Sequence, residues 1–134
     1  MISAVFADTF YFLALLNRRD PAHSRAVDAS RFEGRTFLTT AYVLLELGDA
    51  LAKPSTRAEF LALHEAVAAD PAFKILPVDP GTFAHGLALY RERPDKEWSL
   101  TDCISFAAMR DCGLTEALTG DRHFEQAGFR ALLG

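Results

Sequence analysis

LTGDRHFEQAGF, residues Leu118–Phe129, runs from an apolar lead-in through Thr119-Gly120 to a lone carboxylate, Asp121, then a short helix-like segment and a Gly-Phe pair. The stretch reads as a buried strand that stops, a turn, and a helix that starts. A carboxylate there has two uses. It can cap the helix by accepting from orphan backbone N–H groups, or it can serve a ligand at a sheet edge. The start of the chain repeats the pattern: Ile2–Ala7 is a continuous apolar run, Asp8 follows it, and Thr9–Leu16 reads as a helix.

The segments between fill in the same alternation. Asp20 and Pro21 suit the cap and first position of a second helix. Arg35–Thr39 reads as a strand and Ala41–Lys53 as a helix stopped by Pro54. Ser55–Ala69 is a further helix, with Phe60, Leu63 and Val67 on one face. Phe73–Val78 is a third strand, Gly81–Arg91 a helix, and ERPDKEW a polar loop. Ser99–Cys112 is a helix ended by Gly113. Thr115–Thr119 is a fourth strand, Arg122–Gln126 a short helix, and Phe129–Leu133 a fifth strand. This alternation predicts an α/β fold with a mainly parallel sheet covered on both faces, in a single domain over residues 1–134. Ligands of such sheets bind outside the carboxyl ends of the strands. Asp8 and Asp121 both stand at that edge.

Composition narrows the class. Half of the 134 residues are hydrophobic, enough for a real core without staples. The net charge of −4 gives no overall basic footprint for nucleic acid, although 11 of the 14 basic residues are Arg, which suits bidentate phosphate contact. Cys103 and Cys112 lie nine apart in one predicted helix, on opposite sides, too far to bridge; this favours a reducing compartment. The apolar start MISAVFADTFYFLALLN lacks a basic leader and is interrupted by Asp8, so neither a signal peptide nor a membrane span is expected, and the reading is cytoplasmic.

Two more carboxylates stand out. Asp102, in WSLTDCISFAAM, can close a weak capping box with Ser99, and Trp98 is placed to pack over that first turn. Yet it shares a face with Phe106 and Met109, and an inward carboxylate needs a partner. Glu46, in AYVLLELGDAL, is mid-helix, where no cap is available, and has no cation one turn away; the plain alternative is an exposed helix glutamate. Four acids gathered at one edge would repel and raise each other's pKa. A divalent cation removes that conflict, and oxygen-only donors point to Mg²⁺ or Mn²⁺ rather than Zn²⁺.

With these residues in view, the chain resembles the PIN-domain ribonucleases, in particular the VapC-type toxins of bacterial toxin–antitoxin pairs. FADTFYFLALLN resembles the family's opening Asp-Thr/Ser motif, HSRA its second-helix segment, and LLEL its third-helix glutamate. SLTDCISFAAM resembles its Ser-x-x-Asp helix and LTGDRHFEQAGF its closing Thr-x-Asp-x-x-Phe…Gly-Phe. The resemblance implies a three-layer α/β/α fold with sheet order 3-2-1-4-5. It implies that Asp8, Glu46, Asp102 and Asp121 form a catalytic metal pocket, with Thr9 and Thr119 as supporting hydroxyls. At position 123 some relatives carry a further acid; here the residue is His123. Arg18, Arg19, Arg91, Arg93, Lys96 and Arg122 are the cations nearest to hand for a phosphate track, against the plain reading of solvated surface charge.

The function so implied is Mg²⁺- or Mn²⁺-dependent hydrolysis of RNA phosphodiester bonds by a metal-activated water. The chain would be the toxin partner of an antitoxin protein and would form a homodimer, with partner or dimer contacts expected around Ser55–Ala69. The alternatives are an RNA-processing nuclease without an antitoxin, or a catalytically silent binding module on the same fold. Phosphoryl transfer to aspartate is disfavoured, because Thr9 and Phe10 follow Asp8 where an Asp-x-Asp pair would be needed.

Overall fold

Val5, Phe6 and Ala7 are fully buried because the strand that carries them sits mid-sheet. In this computed structural model, which describes residues 3–134, the elements in chain order are β1 (Ser3–Ala7), α1 (Thr9–Leu16), α2 (His23–Ser30), β2 (Arg35–Thr40), α3 (Ala41–Ala50), α4 (Pro54–Ala69), β3 (Phe73–Leu76), α5 (Pro80–Glu92), α6 (Leu100–Asp111), β4 (Glu116–Leu118), α7 (Arg122–Gln126) and β5 (Arg130–Ala131). The expected first residue of β1, Ile2, lies outside the described residues. The strands pair in the order β3-β2-β1-β4-β5, and every pairing is parallel. The class is the one the alternation predicts, and the sheet order is the one the resemblance implies.

Both faces of the sheet are covered, as continuous apolar strands require. Val5 pairs with Phe37 and Phe6 with Leu38, so Phe6 and Phe37 point to opposite faces. On one face Phe37 stacks on Phe73 at 4.7 Å and meets Tyr11 of α1 at 6.4 Å. On the other, Phe6 meets Phe124 of α7, which stands edge-on to Phe106 of α6 at 4.9 Å. Gly86 lets α5 press on α6: a Cβ there would lie 2.8 Å from the Ile104 backbone.

Several boundaries differ from expectation, each for a local reason. Helix α2 starts at His23 rather than at Pro21. The Asp20 carboxylate accepts from Ala22 N at 2.8 Å and the Asp20 carbonyl from His23 N at 2.9 Å, so Asp20-Pro21-Ala22 is spent on a turn. Helix α3 stops at Ala50, because Lys53, ahead of Pro54, is held extended. The Thr56 hydroxyl and the Arg57 guanidinium then donate to the freed carbonyls of Leu51 and Ala52. Pro54 ends one helix and opens the next as its first residue. Pro80 likewise opens α5 as its first residue, under an Asp79 cap. Strand β3 ends at Leu76, since Pro77 has no N–H for the ladder. Strand β5 is two residues long, not five.

The chain direction across the sheet reverses between β1 and β4. That is the switch point where a crevice opens beyond the strand ends, and the strands on either side of it end in Ala7 and Leu118, which pair in register.

Candidate active site

Asp8 follows Ala7 at the cap position of α1, but its side chain caps nothing there. Its Oδ2 instead accepts from the buried Thr119 hydroxyl, 2.9 Å away. Asp8 is only 6% exposed. Burial pushes its carboxyl up to about 7, and the neighbouring charges of Asp102 and Glu46 push the same way; the Thr119 hydroxyl and the Thr9 N–H oppose them.

Thr119 serves two masters. While it donates to Asp8, its oxygen accepts from Asp121 N at 3.0 Å. The turn that follows β4 is thereby fixed against the end of β1. Gly120 makes room for the Phe10 ring in this turn, because a Cβ would sit 2.5 Å from it. Asp121 then caps α7, its Oδ1 accepting from His123 N at 2.9 Å. The cap is real, and it also holds the carboxylate at the sheet edge.

Asp102 closes the expected capping box: its N–H donates to Ser99 Oγ at 3.0 Å and its Oδ2 accepts from Ser99 N at 3.2 Å. One turn on, Phe106 anchors the helix. Its ring meets Trp98 at 5.1 Å and Phe124 at 4.9 Å, both edge-on. Trp98 Nε1 donates to Gln126 Oε1 at 3.0 Å, which ties the entry of α6 to the end of α7. Burial raises the Asp102 pKa and the Asp121 charge adds to it, against hydrogen bonds from Ser99 N and His123.

Glu46 is not a free surface glutamate. Its Oε1 accepts from Thr9 Oγ1 at 2.5 Å, so α3 and α1 are joined beside Asp8. All four acids and both threonines expected from the sequence therefore meet at the β1/β4 switch point. His123 joins them: its Nδ1 lies 3.2 Å from Asp102 Oδ2 and 3.5 Å from Asp121 Oδ1. It was noted in the sequence only as the place of an acid in some relatives, and the readable signal was its spacing of two from the cap residue.

The expected basic contacts are scattered. Arg91, Arg93 and Lys96 line one groove of about 650 Å³ with Tyr90 and Trp98. Arg93 is held by Asp95 through two bonds, Nε to Oδ1 at 3.0 Å and NH2 to Oδ2 at 2.9 Å. Arg122 is exposed next to Asp121. Arg18 and Arg19 lie past the far end of α1, about 12 Å along the helix from Thr9, and are not brought to the pocket.

The donor set fits a divalent cation. One carboxylate oxygen each of Asp102 and Asp121 and a His123 nitrogen lie within 4.8 Å of one another. Asp8 is buried beside Asp102 and Glu46 with no cationic side chain among its influences. Carboxylates crowded this way are costly without a counter-ion, and hard divalent cations take such oxygen donors.

Comparison with known proteins agrees with this fold. The family model described as PIN domain matches residues 5–130. The solved structure of VapC20 from Mycobacterium tuberculosis, described as a Sarcin-Ricin loop cleaving toxin, is 26% identical with a TM-score of 0.82, over 93% of this chain and 95% of that one. VapBC-5 from the same organism, a member of the VapBC family of toxin-antitoxin systems, is 22% identical with a TM-score of 0.63, over 97% and 94%. VapBC2 from Rickettsia felis, bound to a DNA fragment from its promoter, is 11% identical with a TM-score of 0.68, over 96% of each chain. No curated protein sequence matches the chain.

Proposed function

Because the chain belongs to the PIN-domain family, we propose that it is a divalent-metal-dependent endoribonuclease and the toxin of a toxin–antitoxin pair. The observation that carries this reading is the meeting of Asp8, Glu46, Asp102 and Asp121 at the switch point, with Thr119 and Thr9 bonded to two of them.

Asp8, Asp102, Asp121 and Glu46 would hold Mg²⁺ or Mn²⁺. When bound, such an ion supplies the Lewis acidity that phosphodiester hydrolysis needs. The chain's own part is positioning. Thr119 fixes one oxygen of Asp8 and leaves its other side to the pocket. Thr9 fixes Glu46. The capping bonds of Asp102 and Asp121 lock two more carboxylates onto helix starts, so little ordering remains to be done when substrate arrives. Arg91 and Lys96 supply cations in a groove that Tyr90 also lines, and the exposed Tyr90 ring offers a face for a base.

The antitoxin reading rests on similarity to toxin–antitoxin complexes and on α4, where Leu61 is 60% exposed beside a cleft lined by Gly48, Leu51 and Phe60. An exposed apolar side chain of this kind suits a partner helix or a second copy of the chain. Among the described residues no helix is long and apolar enough to cross a membrane.

The test is incubation of partner-free protein with RNA and Mg²⁺ or Mn²⁺, with EDTA and Asp8→Asn as controls. RNA containing the sarcin–ricin loop is the first to offer, given the activity described for the similar VapC20. Cleavage lost in both controls is expected. Folded protein that cleaves no RNA and gains no thermal stability from either ion would favour a silent binding module instead.

A further inference from the structure

His123 stands in the first turn of α7, which is only five residues long and held at both ends. Asp121 caps its start through the N–H of His123 itself, and Phe124 plugs onto Phe106. The ring has little freedom: its side chain is 22% exposed, against 13% for Asp102 and 32% for Asp121. Nδ1 faces both carboxylates, at 3.2 Å and 3.5 Å. Neighbouring ligand atoms around a six-coordinate ion with bonds of about 2.1 Å stand roughly 3 Å apart. The nitrogen is therefore at ligand spacing from two residues already assigned to the ion.

We propose that His123 is itself a ligand of the divalent ion, through Nδ1, and that it shifts the pocket's preference toward Mn²⁺ over Mg²⁺. The inference rests on the metal pocket of the proposed nuclease and adds a residue to it. Mg²⁺ is hard and sheds water reluctantly, so it gains little from a nitrogen donor. Mn²⁺ binds more tightly to mixed nitrogen and oxygen sites, and imidazole suits transition metals. A neutral imidazole in place of a further carboxylate also withdraws one negative charge, on which Mg²⁺ binding leans most. The Nδ1 that is hydrogen-bonded to Asp102 Oδ2 here would, as a ligand, present its lone pair to the ion, with the proton on Nε2.

Two measurements on the purified chain decide it. Pulsed EPR of the Mn²⁺-loaded wild type reads coupling between the ion and imidazole nitrogen. Calorimetric titration of wild type and His123→Asp with each ion reads the Mn²⁺-to-Mg²⁺ affinity ratio. Expected are nitrogen coupling in the wild type, its loss in His123→Asp, and a ratio about tenfold smaller in the variant. Bound Mn²⁺ without nitrogen coupling overturns His123 as a ligand and leaves the carboxylate pocket standing. Coupling with an unchanged ratio overturns the shift in preference. If neither ion binds the wild type, the pocket falls together with the proposal, a result the other two outcomes cannot imitate. The EPR result on the wild type needs no variant, so poor folding of His123→Asp leaves the test of ligation intact, and His123→Asn then serves for the affinity ratio.

Discussion

Thr119 donates its hydroxyl to Asp8 Oδ2 at 2.9 Å across the switch point, and the same oxygen accepts from Asp121 N at 3.0 Å. One buried O–H thus registers the first strand end against the last helix start. Thr119→Val keeps the shape and removes both bonds. The Asp8 carboxylate and the Asp121 N–H then lose their partner, a cost of about 1–3 kcal/mol by urea denaturation. The hydroxyl favours the ionised carboxyl, so the Asp8 pKa should climb further above about 7, as read by carboxyl NMR titration. Unchanged values would mean that water replaces the hydroxyl without loss.

The Asp8 carboxyl also sets a pH dependence for the metal-free protein. Its pKa is raised from 3.8 to about 7 on folding, so between those values the folded state binds more protons than the unfolded one. Stability from this group is complete below about pH 4 and is lost as pH rises toward 7, at no more than about 1.4 kcal/mol per pH unit. The raised Asp102 acts in the same direction. Melting temperature in EDTA should therefore fall from pH 5 to pH 7.5, and Asp8→Asn should flatten the fall. On the proposed metal pocket, saturating Mn²⁺ should offset the fall by binding the ionised carboxylates of the folded state. A stability that rises over this range in EDTA would contradict the burial of an uncompensated Asp8.

Phe106 couples packing to chemistry. It lies one turn beyond Asp102 and touches both Trp98 and Phe124. Phe106→Ala should cost about 3–5 kcal/mol and loosen α7 from α6, separating Asp102 from Asp121. Trp98 is the only tryptophan, so its emission reports the change directly: a red shift is expected before global unfolding. Emission that stays buried-like until the main transition would show that the Trp98–Gln126 bond holds the helices together unaided.

The parts of this site legible in the sequence were those signalled by neighbours in the chain. Asp8 and Asp121 each follow an apolar run, and Ser99 and Asp102 carry the spacing of a capping box, so strand ends and helix starts located three acids. Glu46 showed no local signal beyond lacking a cap or cation; its role depends on Thr9, 37 residues away, and exists only because α1 and α3 touch. Thr119 was readable as a hydroxyl near the site but not as the shared partner of Asp8 and Asp121. His123 was readable as a departure from the family, and only the short, doubly anchored α7 turns its ring onto two carboxylates. Several of the boundaries that shifted lie at prolines: Pro21 stands in the turn that delays α2, Pro54 and Pro80 open their helices, and Pro77 stops β3.

Gly120 offers the sharpest steric test of the turn. It has no need of a left-handed backbone; its constraint is the ring of Phe10, whose Cζ would lie 2.5 Å from an added Cβ. Phe10 sits two residues past Asp8, so a methyl group at 120 must displace the Phe10 ring, α1 or the Thr119–Asp121 turn. Gly120→Ala should cost about 1–3 kcal/mol in stability, in the range of other overpacked sites. It should also lower metal affinity, because any shift of the turn moves Asp121 relative to Asp8. Gly120→Ala combined with Phe10→Leu gives the methyl room and should recover both quantities in part, which calorimetry with Mn²⁺ and thermal melting would read together. Recovery of stability without recovery of metal binding would mean that the Phe10 ring itself, and not merely the clearance it needs, holds the pocket in shape.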